Sequence, residues 1–169
     1  ANLSAMDSAL LASLNDATVT DNGAVTQNVA AALKIYDAAG SAYGNYSIVD
    51  TATNVAAANN TNNGLANFAT SITLTTDATI AEAANLEGVT LAGGGGISYN
   101  VTGTATAIAG ANAGDMNAAV NLIATGDATI AEALAIDGFS NSGTNTDSIS
   151  GVIATFIDAK PTNQAAINA

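Results

Sequence analysis

Seven residues in a row, Asp-Ala-Thr-Ile-Ala-Glu-Ala, stand at 77–83 and again at 127–133. An identical heptapeptide repeated after 50 residues marks an architecture in which one unit recurs and neighbours bury each other's apolar faces. Leu86-Glu87-Gly88 and Ile136-Asp137-Gly138 extend the match at the same separation. A second pair interleaves with the first: Tyr46-Ser-Ile-Val-Asp-Thr-Ala-Thr against Tyr99-Asn-Val-Thr-Gly-Thr-Ala-Thr, 53 residues apart.

Both pairs follow one grammar: a short β-prone stretch ends in Asp or Gly, and an Ala-rich helical stretch follows. The junctions fall at Asp21, Asp50, Asp77, Gly103, Asp127 and Gly151, giving six half-repeats. Apolar alternation in Ser71-Ile-Thr-Leu-Thr75 turns Ile72 and Leu74 inward and Thr73 and Thr75 outward. Ile80, Val101, Leu122 and Ile130 join them as expected core residues. Thr79 with Glu82, and Thr129 with Glu132, form the S/T-x-x-E box that closes a helix N-terminus. Gly88 and Gly138 stand where those helices should stop.

This pattern predicts an α/β fold, a repetitive strand-helix solenoid with parallel strands joined by right-handed crossovers. The alternative is a single curved sheet covered by helices. Residues 1–16 read as a capping helix with Met6, Leu10, Leu11 and Leu14 on one face, 17–160 as six half-repeats in one domain, and 161–169 as a tail. At the far end Val152, Ile153, Phe156 and Ile157 are followed only by that short polar tail, which predicts an open strand edge. A chain beginning at Ala1, without Met or a basic stretch, reads as already processed or excised.

Charge and residue types narrow the function. Fourteen acidic residues stand against two basic ones, Lys34 and Lys160, for a net charge of −12. Such a chain cannot neutralise phosphates, which argues against nucleic-acid binding, and an anionic membrane surface would repel it. No apolar run is long enough to suggest membrane insertion. There is no Cys and no His, so disulfides, thiol catalysis, His-assisted nucleophiles and thiolate or imidazole metal sites are absent. Glu82 and Glu132 are the remaining carboxylate pair for glycoside chemistry, and the capping boxes already account for them. The run Gly93–Gly96 lacks the Lys and the spacing of a phosphate loop and reads as a turn. The reading is therefore not an enzyme.

Calcium is the metal with a case. Asp21, Asp50, Asp77 and Asp127 recur at strand ends, where Thr, Asn and carbonyl oxygens could complete an oxygen shell. Helix capping by the same acids is the competing reading. Thr-x-Thr patterns at Thr18/Thr20, Thr73/Thr75 and Thr102/Thr104/Thr106 raise an ice- or glycan-binding face, against the plainer reading of β-branched residues on the solvent side of strands. A glycan site normally offers aromatic platforms, and the tyrosines available are Tyr36, Tyr43, Tyr46 and Tyr99.

The runs Ile48-Val-Asp-Thr-Ala-Thr-Asn-Val-Ala-Ala57 and Ile72-Thr-Leu-Thr-Thr-Asp-Ala-Thr-Ile-Ala-Glu-Ala83 resemble the repeats of very large secreted bacterial surface proteins, among them repetitive adhesins, S-layer-type proteins and calcium-dependent cell-surface proteins. The resemblance covers roughly residues 17–159. It implies display at the cell surface or outside the cell, and a structural or adhesive role. Copies of the same chain, assembled as a layer or filament, are then the expected partners, with cell-surface glycans as the alternative. The chain departs from the pattern in lacking nonapeptide calcium repeats.

Overall fold

A computed structural model describes residues 25–33, 46–61 and 69–149. The chain divides into two compact units, Ala1–Thr76 with Gly88–Ser98, and Asp77–Glu87 with Tyr99–Ala169. Each carries one small parallel sheet of three strands, so the six described strands form two sheets rather than one.

In the first unit β1 (Val25–Gln27), β2 (Tyr46–Asp50) and β3 (Ala69–Leu74) lie side by side in chain order. Residues 29–33 are helical, and α1 (Ala52–Thr61) joins β2 to β3. Parallel neighbours need a crossover between them, and the Ala-rich stretches supply it. Val25 pairs with Tyr46, and Ile48 with Ile72. Successive strands are thus offset by 21 to 24 residues, where the junctions Asp21, Asp50 and Asp77 in this part of the chain are 29 and 27 apart. Ala92 N donates to Ala69 O at 2.9 Å, so part of the 88–98 segment lies against the start of β3.

The second unit repeats the plan. Ala78 forms a single parallel bridge to Val101, the first residue of β4 (Val101–Thr104). Then come α2 (Ile80–Leu86), lying before β4 in the chain, α3 (Ala105–Ala109), α4 (Ala113–Ala118), β5 (Leu122–Ala128), α5 (Ile130–Asp137) and β6 (Asn145–Ile149). Sheet order again follows the chain, with Val101 opposite Leu122 and Leu122 opposite Asn145. The β5–β6 register slips between Ile123 and Asp127. Gly126 sits in that slip with φ of +79°, a conformation a side chain disfavours.

Small side chains recur at one place in the core. Ala52, Ala78, Ala105 and Ala128, each at the switch from strand to helix, are all at most 3% exposed. In the repeated helices Ala83 and Ala133 are buried, as are Leu86 and Ile136. Tyr46, Ile48, Val101, Ile108, Met116 and Leu122 supply most of the bulk. Ala removes little apolar area from water, at about 25 cal/mol per Å², so hydrogen bonds between repeats carry a larger share of the cohesion.

Among the expected core residues, Ile72, Val101, Leu122 and Ile130 are buried, and Thr73 and Thr75 are exposed. Leu74 and Ile80 are only half-buried. Leu74 ends its strand opposite Asp50, and Ile80 opens its helix, so each lies at a margin. The capping helix of residues 1–16, the junctions Asp21 and Gly151, the apolar cluster at 152–157 and the tail lie outside the described residues.

Candidate functional site

The strand starts of the second unit carry a continuous polar ladder. Asn100 Nδ2 donates to Asp77 Oδ1 at 3.0 Å, and Asn121 Nδ2 donates to Asn100 Oδ1 at 2.8 Å. Thr144 closes the row: its N–H and its hydroxyl both donate to Asn121 Oδ1, at 2.8 and 3.1 Å. The main chain runs in step, with Ala78 N donating to Asn100 O, Val101 N to Asn121 O and Leu122 N to Thr144 O. The starts of four successive chain segments are thereby tied side by side. Close approach makes the geometry possible: Gly143 N donates to Val120 O at 2.7 Å, and a Cβ on Gly143 would clash with Asn121 Oδ1 and stand 2.5 Å from Val120 O. The ladder residues are 21 to 23 apart in sequence. That interval is the signal sequence reading missed, because single Asn residues do not stand out in an Asn-rich chain.

Helix caps form a second recurrent set. Asn28, Thr51, Thr79, Thr104 and Thr129 each accept from the main-chain N–H three residues on. Both expected capping boxes are present, Thr79 with Glu82 and Thr129 with Glu132. The expected stops differ. Gly88 follows the C-cap Glu87 in the left-handed region at φ +74°, whereas Gly138 is itself the C-cap at φ −75°. Glu132 also accepts from the Thr106 hydroxyl at 2.6 Å. That bond, with those from the Thr129 N–H and hydroxyl, holds the Glu132 carboxyl below its usual range.

The junction acids divide. Asp50 gathers three donors: Val29 N at 2.9 Å, Thr51 N at 2.8 Å and Asn54 Nδ2 at 2.7 Å. Partial burial pushes its carboxyl up, but the bonds from Asn54, Val29 and Thr51 outweigh this and hold it below the ordinary aspartate value. Asp50 therefore ties the helix at 29–33 to the start of α1. Asp77 ends the Asn ladder, and Asp127 is an exposed residue of β5 opposite Ser148. Capping by Asp77 and Asp127 is corrected: the caps are Thr79 and Thr129, two residues further on. Asp21 lies outside the described residues. Among the described residues, no group of three or more Asp or Glu side chains gathers around one point.

The hydroxyl patterns also resolve into parts. Thr104 caps α3 and Thr106 lies within it, so Thr102, Thr104 and Thr106 are not one flat rank. In the first unit Thr26, Ser47 and Ser71 do align across three strands. Ser71 donates to Ser47 at 2.8 Å, and Ser47 lies 3.3 Å from the Thr70 hydroxyl. Those hydroxyls are thus partly spent on one another. Thr18 and Thr20 lie outside the described residues, as do Tyr36 and Tyr43. Tyr46 and Tyr99 are 1% and 4% exposed. The Tyr99 hydroxyl donates to Asp115 O at 3.3 Å, and burial together with the nearby Asp115 and Glu87 pushes the phenol up to about 12. Neither ring is a platform for a sugar. Gly93–Gly96 forms a turn, closed by Leu91 N to Gly95 O and Gly94 N to Leu91 O, both at 2.8 Å.

Chemically, these side chains donate and accept between repeats and at helix starts. In comparisons with known proteins, no family model, no curated protein and no solved structure matches the chain.

Proposed function

We propose that this chain is a structural module for an external medium, a solenoid of strand-helix coils that associates with copies of itself, and not a catalyst. The observation that carries the reading is the expenditure of polar groups. Asp77, Asn100, Asn121 and Thr144 bond to one another across repeats, and Glu82 and Glu132, the carboxylates open to catalysis, close helix starts. A chain that invests its functional groups in holding repeats in register is built for cohesion. The resemblance to repeats of secreted bacterial surface proteins supports the same reading, with a cell-surface or extracellular location. No helix among the described residues is long and apolar enough to cross a membrane.

Charge sets how association should behave. Copies carrying −12 each repel until salt or divalent cations screen them. Light scattering and electron microscopy of the purified chain, over a range of sodium chloride and then with calcium at matched ionic strength, test the proposal. Larger species that grow with ionic strength are expected. A strict monomer under every condition overturns it, and growth specific to calcium would assign cation ligands to the acidic residues.

A further inference from the structure

The three strands of the first unit bury one side of their sheet and leave the other open. Gln27, Tyr46, Ile48, Ala69 and Ile72 turn inward and are buried. The other side carries Thr26, Ser47 and Ser71 in one row across the strands, and Val49 paired with Thr73 in the next. Thr26, Val49, Ser71 and Thr73 are exposed, and Ser47 is half-buried. None of the five is charged. Val49, at 37%, is the one large apolar residue that stands exposed among the described residues.

Several hydroxyls of this face are already bonded within it. Ser71 donates to Ser47 at 2.8 Å, the Ser47 and Thr70 hydroxyls lie 3.3 Å apart, and Thr70 donates to Tyr46 O at 3.1 Å. A hydroxyl that keeps its partner costs less to bury than a free one, so water can leave this face at little loss. Charge is distributed to the same effect. Of the fourteen acids, nine fall in the second unit and five in the first. Among the described residues of the first unit Asp50 is the one acid, and its carboxylate is taken up by Val29, Thr51 and Asn54. Two copies carrying −12 each repel least where neither presents a charge. The strands are three, five and six residues long, so the patch falls short of the roughly 800 Å² per partner of a stable complex. A contact made there is weak and governed by salt.

Building on self-association of the chain, we propose that two copies meet through this face, like against like about a two-fold axis, with Val49 at the contact. Sedimentation velocity and light scattering of the full-length chain across sodium chloride concentrations test it, on the parent, Val49→Glu, Val49→Lys and Ala135→Glu. Ala135 is an exposed residue of α5, so Ala135→Glu adds the same charge away from the face. Its association constant should stay within about twofold of the parent's, whereas Val49→Glu should lose at least about tenfold. Val49→Lys should lose as much although it lowers the net negative charge, and an equal mixture of the two Val49 variants should recover association. Thermal midpoints within about 2 °C of the parent establish that the variants fold, and Thr73→Glu, paired with Val49, carries the same test if a Val49 variant does not. Val49→Glu associating like Ala135→Glu, Val49→Lys associating better than the parent, or a mixture that fails to recover overturns this face and leaves self-association standing. A parent that is monomeric at every salt concentration overturns self-association and this surface with it.

Discussion

Replacing Asn121 by Ala removes the middle rung of the ladder. Three hydrogen bonds go at once: one donated to Asn100 Oδ1 at 2.8 Å, and two accepted from Thr144 at 2.8 and 3.1 Å. A net value of about 1 kcal/mol per bond gives a loss of about 3 kcal/mol. Asn121 is half-buried, so water can reach part of the gap, and about 1.5 kcal/mol is the floor if it satisfies Asn100 Oδ1 and the Thr144 N–H. For a chain of this length, 3 kcal/mol corresponds to a fall in thermal midpoint of roughly 6–12 °C. Thr73→Ala, at an exposed strand position, is the control and should shift the midpoint by no more than about 2 °C.

The ladder also predicts coupling. Asn100→Ala removes the bond to Asp77 and the acceptor that Asn121 uses, so the two single variants share one bond. The double variant should lose about 1 kcal/mol less than the sum of the singles. Chemical denaturation of all four proteins measures this directly. If Asn121→Ala matches Thr73→Ala, or the two Asn losses simply add, the side chains only decorate strands that the core holds.

Two further outcomes rest on other sites. Leu122 is fully buried and Leu74 only half-buried, so Leu122→Asp should fail to fold while Leu74→Asp folds with reduced stability; circular dichroism melts that rank them the other way refute the described core. Because the folded-state value of Asp50 is depressed, its contribution is fully present above about pH 4 and is lost as pH falls through that depressed value, so Asp50→Asn should show a shallower acid loss than the parent in denaturation between about pH 5 and 2.

What the sequence made legible was whatever is local. A capping box is four residues long, so Thr79/Glu82 and Thr129/Glu132 could be read without knowing the fold. The same holds for inward Ile72 and outward Thr73 in β3, where alternation is decided within the strand. The ladder is not local. Asn100 and Asn121 acquire meaning only when their strands pair, and the interval between them equals the strand offset rather than any motif length. Misreadings arose at switches between elements. Thr102, Thr104 and Thr106 look like one alternating strand, yet the chain turns helical at Ala105, which makes Thr104 a cap and gives Thr106 to Glu132. Asp77 and Asp127 look like caps because they precede helices, but the chain needs two more residues, one of them the buried Ala78 or Ala128, before the helix begins.

That buried alanine links the chain's composition to its proposed role. At Ala52, Ala78, Ala105 and Ala128 the switch from strand to helix buries only a methyl group, so it gains little apolar area there and relies more on bonds to neighbouring strands. Those bonds run across the second sheet, from Asp77 through Asn100 and Asn121 to Thr144, and each joins one strand start to the next along the chain.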